Sequence, residues 1–192
     1  MKKIADLLTG YIGRKGIIKE EDYPIYTYGF QYGLELGACF VICFMITALM
    51  GVLWEEIIFW LIFFCVRSYV GGFHFKKYMY CFVCSCSVGI GLPMFNKYFP
   101  LDRNIALFFS LIFGFILLKS MTKQNNHLEE QEFIFFKSQL KKRLYFIFLG
   151  SIILYLLKTE SMLSMVTYSL LAILVSIILN VLLSHKKEIT IE

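Results

Sequence analysis

The chain has 192 residues, of which 58% are hydrophobic and 18% aromatic, and its formal net charge at pH 7 is +5. This apolar share is higher than the surface of a soluble globular domain tolerates, so the composition favours a single membrane domain in contact with the lipid bilayer. The basic residues are scattered instead of forming a stripe, which excludes nucleic acid as a partner.

The first segment, residues 1–22, is predicted to form an amphipathic helix on the bilayer surface. Its apolar residues recur at the spacing of one helical face, and most of its charges lie elsewhere. Asp6, Gly10 and Arg14 interrupt the apolar stretch, and no small-residue cleavage site follows. We therefore expect this segment to be retained and not removed as a signal peptide. The alternative is a disordered basic leader.

A glycine ridge leads into the first apolar stretch. Gly29, Gly33 and Gly37 recur every four residues, a spacing that lets another helix approach closely. This pattern favours a homodimer.

Six apolar stretches are predicted to span the membrane, which makes the expected fold class all-α and polytopic. A spanning helix needs about 20 predominantly apolar residues, and the second, fourth and fifth stretches are short by this measure. With both termini in the cytoplasm, all but three of the 19 Lys and Arg residues fall in cytoplasmic segments, where such residues are enriched. The spans are expected near residues 36–53, 54–70, 79–95, 105–118, 144–157 and 162–183.

Residues that could take part in catalysis lie close together between the second and third stretches. They belong to the sequence RSYVGGFHFKKYMYC at positions 67–81. The charge distribution makes this loop cytoplasmic, so it is expected near the inner membrane surface. In one straight helix, His74 and Cys81 would lie about 10 Å apart along the axis. Gly71 and Gly72 can take positive φ without steric penalty, and we predict that they form a hinge which bends His74 back towards Cys81.

Contact between this imidazole and this thiol would produce a nucleophile. The imidazole accepts the thiol proton and leaves a thiolate, which the positive end of the helix dipole and the nearby cations Arg67, Lys76 and Lys77 stabilise. In the competing structural interpretation, Cys81 is a small apolar residue and Arg67 anchors the helix end to lipid phosphate.

A third catalytic residue is not evident from the sequence, so a dyad of His74 and Cys81 is the simpler hypothesis. Acidic residues that could orient the imidazole are present, but nothing in the sequence places them near it. They are Glu35, Glu129, Glu130 and Glu132.

The remaining cysteines are predicted to be ordinary apolar residues. All six cysteines lie in or beside apolar segments, which argues against a disulfide framework. The run formed by Cys81, Cys84 and Cys86 suggests a metal or redox site, but on one helix Cys81 and Cys86 point in different directions and no second ligand cluster is evident. We therefore expect neither a metal nor another cofactor.

The spacing of Arg67, His74 and Cys81, with glycine shortly before the histidine, resembles that of the accessory gene regulator protein B family. Members of this family are integral-membrane cysteine endopeptidases of Gram-positive quorum sensing. The resemblance implies that Cys81 is the nucleophile, that His74 is its base and that Arg67 is an essential site residue. It also implies a substrate, a short amphipathic propeptide with an acidic C-terminal tail, and a site at the cytoplasmic face of the cell membrane.

The implied reaction is acyl transfer through a thioester on Cys81. The propeptide tail departs with a proton from His74, and a thiol or hydroxyl within the retained peptide then closes a thiolactone or lactone ring. Arg67 is predicted to bind a substrate carboxylate through two parallel hydrogen bonds.

A basic cluster ends the long cytoplasmic loop at Lys141, Lys142 and Arg143. These cations are candidates to attract the acidic tail of the propeptide. Ordinary anchoring at the cytoplasmic face explains them equally well.

Two other functions fit the same sequence. A small transporter or channel would use Arg67 and His74 to line a polar path, with no covalent chemistry. A membrane scaffold would depend mainly on the glycine ridge.

Overall fold

Long helices make up most of the part of the chain that the structure describes. The computed structural model describes residues 2–70, 78–124 and 130–188, with side chains for residues 2–70, 80, 82–120 and 133–182. Within these ranges the chain forms seven α-helices and no β-strand, so the predicted all-α fold class is confirmed. The helices are α1 (Lys2–Arg14), α2 (Tyr23–Leu49), α3 (Leu53–Val70), α4 (Tyr78–Tyr98), α5 (Arg103–Gln124), α6 (Glu130–Leu156) and α7 (Glu160–Glu188).

Local sequence explains where several helices begin and end. Proline occupies the first turn of α2, where a missing N–H is tolerated and a fixed φ suits the helix. Gly51 has φ of +70° in the turn before α3, a left-handed conformation that glycine adopts without steric penalty. Two helices begin well before the apolar stretches predicted for them, α2 at Tyr23 and α6 at Glu130. The added part of α6 is rich in Glu, Gln and Lys, which favour helix although they lower hydropathy.

Three helical segments are long and apolar enough to cross a membrane, counting only residues that the structure describes. They are Glu20–Leu49, Arg103–Ser120 and Glu160–Leu182. Helices α3, α4 and α6 occupy the positions of the other three predicted spans. The count of six spans and the cytoplasmic position of both termini stay predictions.

Helix α7 lies at the centre of the bundle and packs against α3, α4, α5 and α6. Small polar residues allow close approach there, because their hydroxyl groups can bond to backbone carbonyls. Thr167 donates a hydrogen bond of 2.8 Å to the carbonyl of Ala106 in α5. The apolar core around this helix includes Val66, Leu117, Leu140, Leu170 and Ile173, all nearly or fully buried.

Helix α1 packs against α2 through small residues and leaves its larger apolar side chains exposed. Thr27 donates a hydrogen bond of 3.1 Å to the hydroxyl of Thr9. A Cβ atom added at Gly13 would lie 2.6 Å from the ring of Tyr23, so the helices approach too closely for a side chain there. Leu7, in contrast, is 68% exposed. This outward apolar face supports the predicted position of α1 at the bilayer surface.

Candidate active site in a cavity between four helices

A cavity of about 690 Å³ lies between α2, α3, α4 and α7. Its volume is within the range of ligand sites in proteins, which are mostly apolar with a few placed polar groups. Its walls follow that description, because aromatic and aliphatic side chains dominate. Among them are Phe59, Trp60, Phe63, Phe64, Phe82, Val88, Leu92 and Leu171. The polar residues are Glu35, Arg67, Ser68, Ser85 and Ser176, and the side chains of Tyr32 and Tyr168 also line the cavity.

Arg67 lines this cavity from the last turn of α3. Its Nη1 group donates a hydrogen bond of 2.7 Å to the hydroxyl of Ser176 in α7. Its guanidinium group also stacks on the ring of Phe63, with 5.0 Å between the guanidinium carbon and the ring centroid. Contacts with α3 and α7 therefore fix the orientation of this guanidinium group. A side chain that only anchors the helix end to lipid phosphate does not need such a fixed orientation.

Glu35 supplies the opposite charge from α2. The residue is only 6% exposed, and Gln31 donates a hydrogen bond of 3.2 Å to its Oε1 atom. Its Oε2 atom has no hydrogen-bond partner among the described residues. A buried carboxylate oxygen without a partner is costly, so its retention at a cavity favours a functional explanation. The sequence offered Glu35 only as one of four candidate acids.

The start of α4 carries the predicted nucleophile. Cys81 belongs to the first turns of this helix, but its side chain is outside the described ones. Cys84 and Ser85, which follow it in α4, both line the cavity. The predicted base His74 lies outside the described residues, as do the predicted hinge and the cations after it, Gly71, Gly72, Lys76 and Lys77.

The basic cluster on α6 does not line the cavity. Arg143 donates a hydrogen bond of 2.8 Å to the hydroxyl of Tyr69 and stacks on that ring, with 4.5 Å from its guanidinium carbon to the centroid. It therefore joins α6 to the end of α3, two residues beyond Arg67. Lys141 and Lys142 are exposed on the same helix.

Three other cysteines come together where the sequence predicted ordinary apolar residues. Cys86 of α4 lies 3.0 Å from Cys39 of α2, measured between the two Sγ atoms, and Cys43 lies 3.9 Å from Cys39. Cys84, two residues before Cys86, is exposed. The cysteines nearest to Cys86 thus belong to α2. Spacing within α4 alone does not predict this contact between helices.

The glycine ridge of α2 is unoccupied by other described parts of the chain. Gly29, Gly33 and Gly37 are exposed, and a Cβ atom added at any of them would meet nothing within 4 Å. Its packing partner, if the ridge has one, is therefore not a described helix of this chain.

These features define a helical membrane protein in which two charged side chains, Glu35 and Arg67, line one cavity between helices. The family model for accessory gene regulator B matches residues 5–184, and the chain belongs to that family. No curated protein and no solved structure matches the chain. Membership links it to the accessory gene regulator quorum-sensing system and to the processing of its signalling peptide.

Proposed function

We propose that this chain is a membrane cysteine endopeptidase that removes the acidic tail of an amphipathic quorum-sensing propeptide and cyclises the retained part. The Cys81 thiolate attacks the scissile carbonyl, and His74, which has taken the thiol proton, donates it to the departing amine. A thiol or hydroxyl within the retained peptide then displaces Cys81 and closes the ring. One observation carries this proposal: the family match includes the stretch from Arg67 to Cys81, and Arg67 lines a cavity that reaches α4.

Helix geometry supports access of Cys81 to the cavity. Cys84 and Ser85 line the cavity, and Cys81 precedes them by three and four residues, the spacing that places side chains on one helical face. The first N–H groups of a helix have no partner within it, so those of α4 are available to hold the oxyanion. The same helix end favours the thiolate through its dipole.

The two charged residues of the cavity have separate proposed roles. Arg67 binds a carboxylate of the substrate, and its attachment to Ser176 holds the guanidinium in place for a bidentate contact. Glu35 orients the imidazole of His74 through its unpartnered Oε2 atom, which would extend the dyad to a triad. Among the acids that the sequence offered, Glu35 is preferred because it is buried at the cavity.

The proposed arrangement in the membrane has six spans, both termini inside and the site at the cytoplasmic face. The exposed glycine ridge of α2 provides the surface for a homodimer. Replacing Gly33 with leucine should convert the dimer to a monomer in detergent, measured by light scattering. A protein that is monomeric before the substitution would refute the dimer.

Co-expression with a candidate propeptide tests the peptidase function. Cleavage and ring closure are followed by mass spectrometry of cell extracts for the wild type, Cys81→Ala and His74→Ala. Both variants should lose cleavage, whereas Cys65→Ala should retain it, because Cys65 lies on α3 and does not line the cavity. A hydroxylamine-sensitive adduct of the retained peptide should also appear on the wild-type chain and be absent from Cys81→Ala.

A transporter without covalent chemistry would use the same charged cavity and predicts the opposite result. In that case Cys81→Ala would leave peptide movement unchanged, and this movement would depend on a substrate gradient. Retained cleavage in Cys81→Ala would therefore reject the peptidase proposal.

A further inference from the structure

We propose that Cys39, Cys43 and Cys86 form a binding site for a soft monovalent metal ion, copper(I). Cys39 and Cys43 are four residues apart on α2 and so lie on one helical face, while Cys86 approaches from α4. The three Sγ atoms all lie within 4.8 Å of one another. The sequence predicts no metal, because its spacing shows no second ligand cluster beside the cysteines of α4 and does not reveal that α2 packs there.

The size of this sulfur triangle suits one central ion. Metal–thiolate bonds are about 2.3 Å long, so three sulfurs in a trigonal plane around an ion are about 4.0 Å apart. The contact between Cys39 and Cys43 is 3.9 Å, and that between Cys39 and Cys86 is 3.0 Å. The third side, between Cys43 and Cys86, is within 4.8 Å. A movement of the Cys86 sulfur by about 1–2 Å completes the triangle, and this residue is only partly buried.

The ligand type and number favour copper(I). Soft thiolates select copper(I), zinc and iron–sulfur clusters among biological metals. Structural zinc sites are almost always four-coordinate, whereas the described residues offer three sulfurs. Copper(I) accepts two or three thiolates without a further ligand. It binds with no change of oxidation state, and each thiol that becomes a thiolate releases one proton to solvent.

A buried carboxylate lies beside the cluster. A Cβ atom added at Gly89 of α4 would be 3.2 Å from the Sγ atom of Cys43 and 3.5 Å from the Oε1 atom of Glu56. Trp60 donates a hydrogen bond to Oε1 of Glu56, and the Oε2 atom has no partner among the described residues. Cys39 also lines the large cavity, which gives the ion a route to the cluster.

Anaerobic competition with a chromophoric copper(I) chelator tests this site on the reduced, purified full-length chain in lipid nanodiscs. All samples carry Cys81→Ser, so that the proposed nucleophile does not compete. The parent chain should remove one copper(I) ion per chain from the chelator. Cys39→Ser, Cys43→Ser and Cys86→Ser should each weaken binding at least as much as loss of a hydrogen-bond partner of a ligand does, about 10- to 100-fold. Cys65→Ser is the matched control and should bind as the parent does.

Two further measurements separate loss of a ligand from loss of the fold. X-ray absorption of the copper-loaded parent should show sulfur neighbours only. Copper(I) should raise the midpoint of thermal unfolding of the parent chain but leave that of Cys86→Ser unchanged. Circular dichroism should show equal helix content in the parent and in Cys86→Ser. The proposal is overturned if the parent does not take copper(I), if the three serine variants bind it as tightly as Cys65→Ser does, or if zinc(II) binds with a fourth, non-sulfur ligand in preference.

Discussion

The attachment of Arg67 to Ser176 should control how well the site binds the substrate carboxylate. Replacing Arg67 with lysine keeps the positive charge but removes the planar donor fork and its stacking on Phe63. A hydrogen bond to a charged group contributes about 1.5–3 kcal/mol, and a cation–π contact about 0.5–1 kcal/mol. The two contacts together contribute about 2–4 kcal/mol, and 1.4 kcal/mol corresponds to a factor of ten, so we expect kcat/KM for propeptide cleavage to fall by roughly 30- to 700-fold.

Removing only the attachment should have a smaller effect. Ser176→Ala leaves the guanidinium in place but deletes the 2.7 Å hydrogen bond that directs it. We expect kcat/KM to fall by about 3- to 10-fold, less than the full value of a hydrogen bond to a charged group, because the guanidinium itself still reaches the substrate. Ser169→Ala is the matched control on α7, because the Ser169 hydroxyl is buried and donates to the carbonyl of Met165 in its own helix. It should leave cleavage unchanged.

The assay is cleavage of synthetic propeptide by the reconstituted protein in liposomes, with products measured by mass spectrometry. If Ser176 acts through Arg67, its removal should change the rate by less than about twofold once Arg67 is lysine, since contacting residues in one network are not additive. A double variant whose loss equals the product of the two single losses would show that Ser176 acts independently. That result would refute the proposed positioning role.

Other substitutions test the remaining features of the cavity. Glu35→Leu should raise the midpoint of thermal unfolding in detergent, because it removes a buried unpartnered carboxylate oxygen, while lowering cleavage more than tenfold. A fall in both quantities would instead indicate a structural role. Gly89→Val should destabilise the fold by about 1–3 kcal/mol through crowding against α2 and α3. Gly91→Val on the same helix meets open space and should cost clearly less, and equal losses would contradict the packing described here. Lys141→Gln combined with Lys142→Gln should raise KM for a propeptide with an acidic tail at low salt but not at about 1 M salt, where screening is nearly complete.

Hydropathy and charge predicted the helical fold but not the helix lengths. The apolar stretch near residues 54–70 corresponds closely to α3, because charged or turn-forming residues flank it on both sides. Helices α2 and α6 start well before their apolar stretches because helix formation continues through aromatic and polar residues once a neighbour packs against them. Hydropathy reports only which residues prefer lipid. A helix can continue beyond those residues, because its backbone hydrogen bonds do not depend on an apolar side chain.

The candidate site was predictable only where its residues lie close together in sequence. The stretch that holds Arg67, His74 and Cys81 carries its own spacing signal. Ser176 is more than one hundred positions away from Arg67, and its contact depends on how α3 crosses α7. The contact between Cys86 and Cys39 could not be predicted either, because a single sequence does not show which helices pack together.

Polar groups within the bundle fall into two arrangements that differ in their consequences for function. Near the end where α3 and α7 begin, Asn96 donates to the carbonyl and hydroxyl of Ser161, whose hydroxyl donates to Glu55. These contacts join α4, α7 and α3, so that end is held together by hydrogen bonds between side chains. Towards the end where α3 finishes, Glu35 and Arg67 instead face the cavity, and one carboxylate oxygen has no described partner. Since a polar group without a partner is costly in an apolar surrounding, the second arrangement reduces stability unless a substrate or another site residue uses it. Unpartnered oxygens also occur at Glu56 and Asn96 towards the other end, so an orphaned oxygen does not by itself distinguish the two ends. The cavity does, because an acid and a cation line it, and this favours chemistry at the end of the bundle where the proposed nucleophile begins α4.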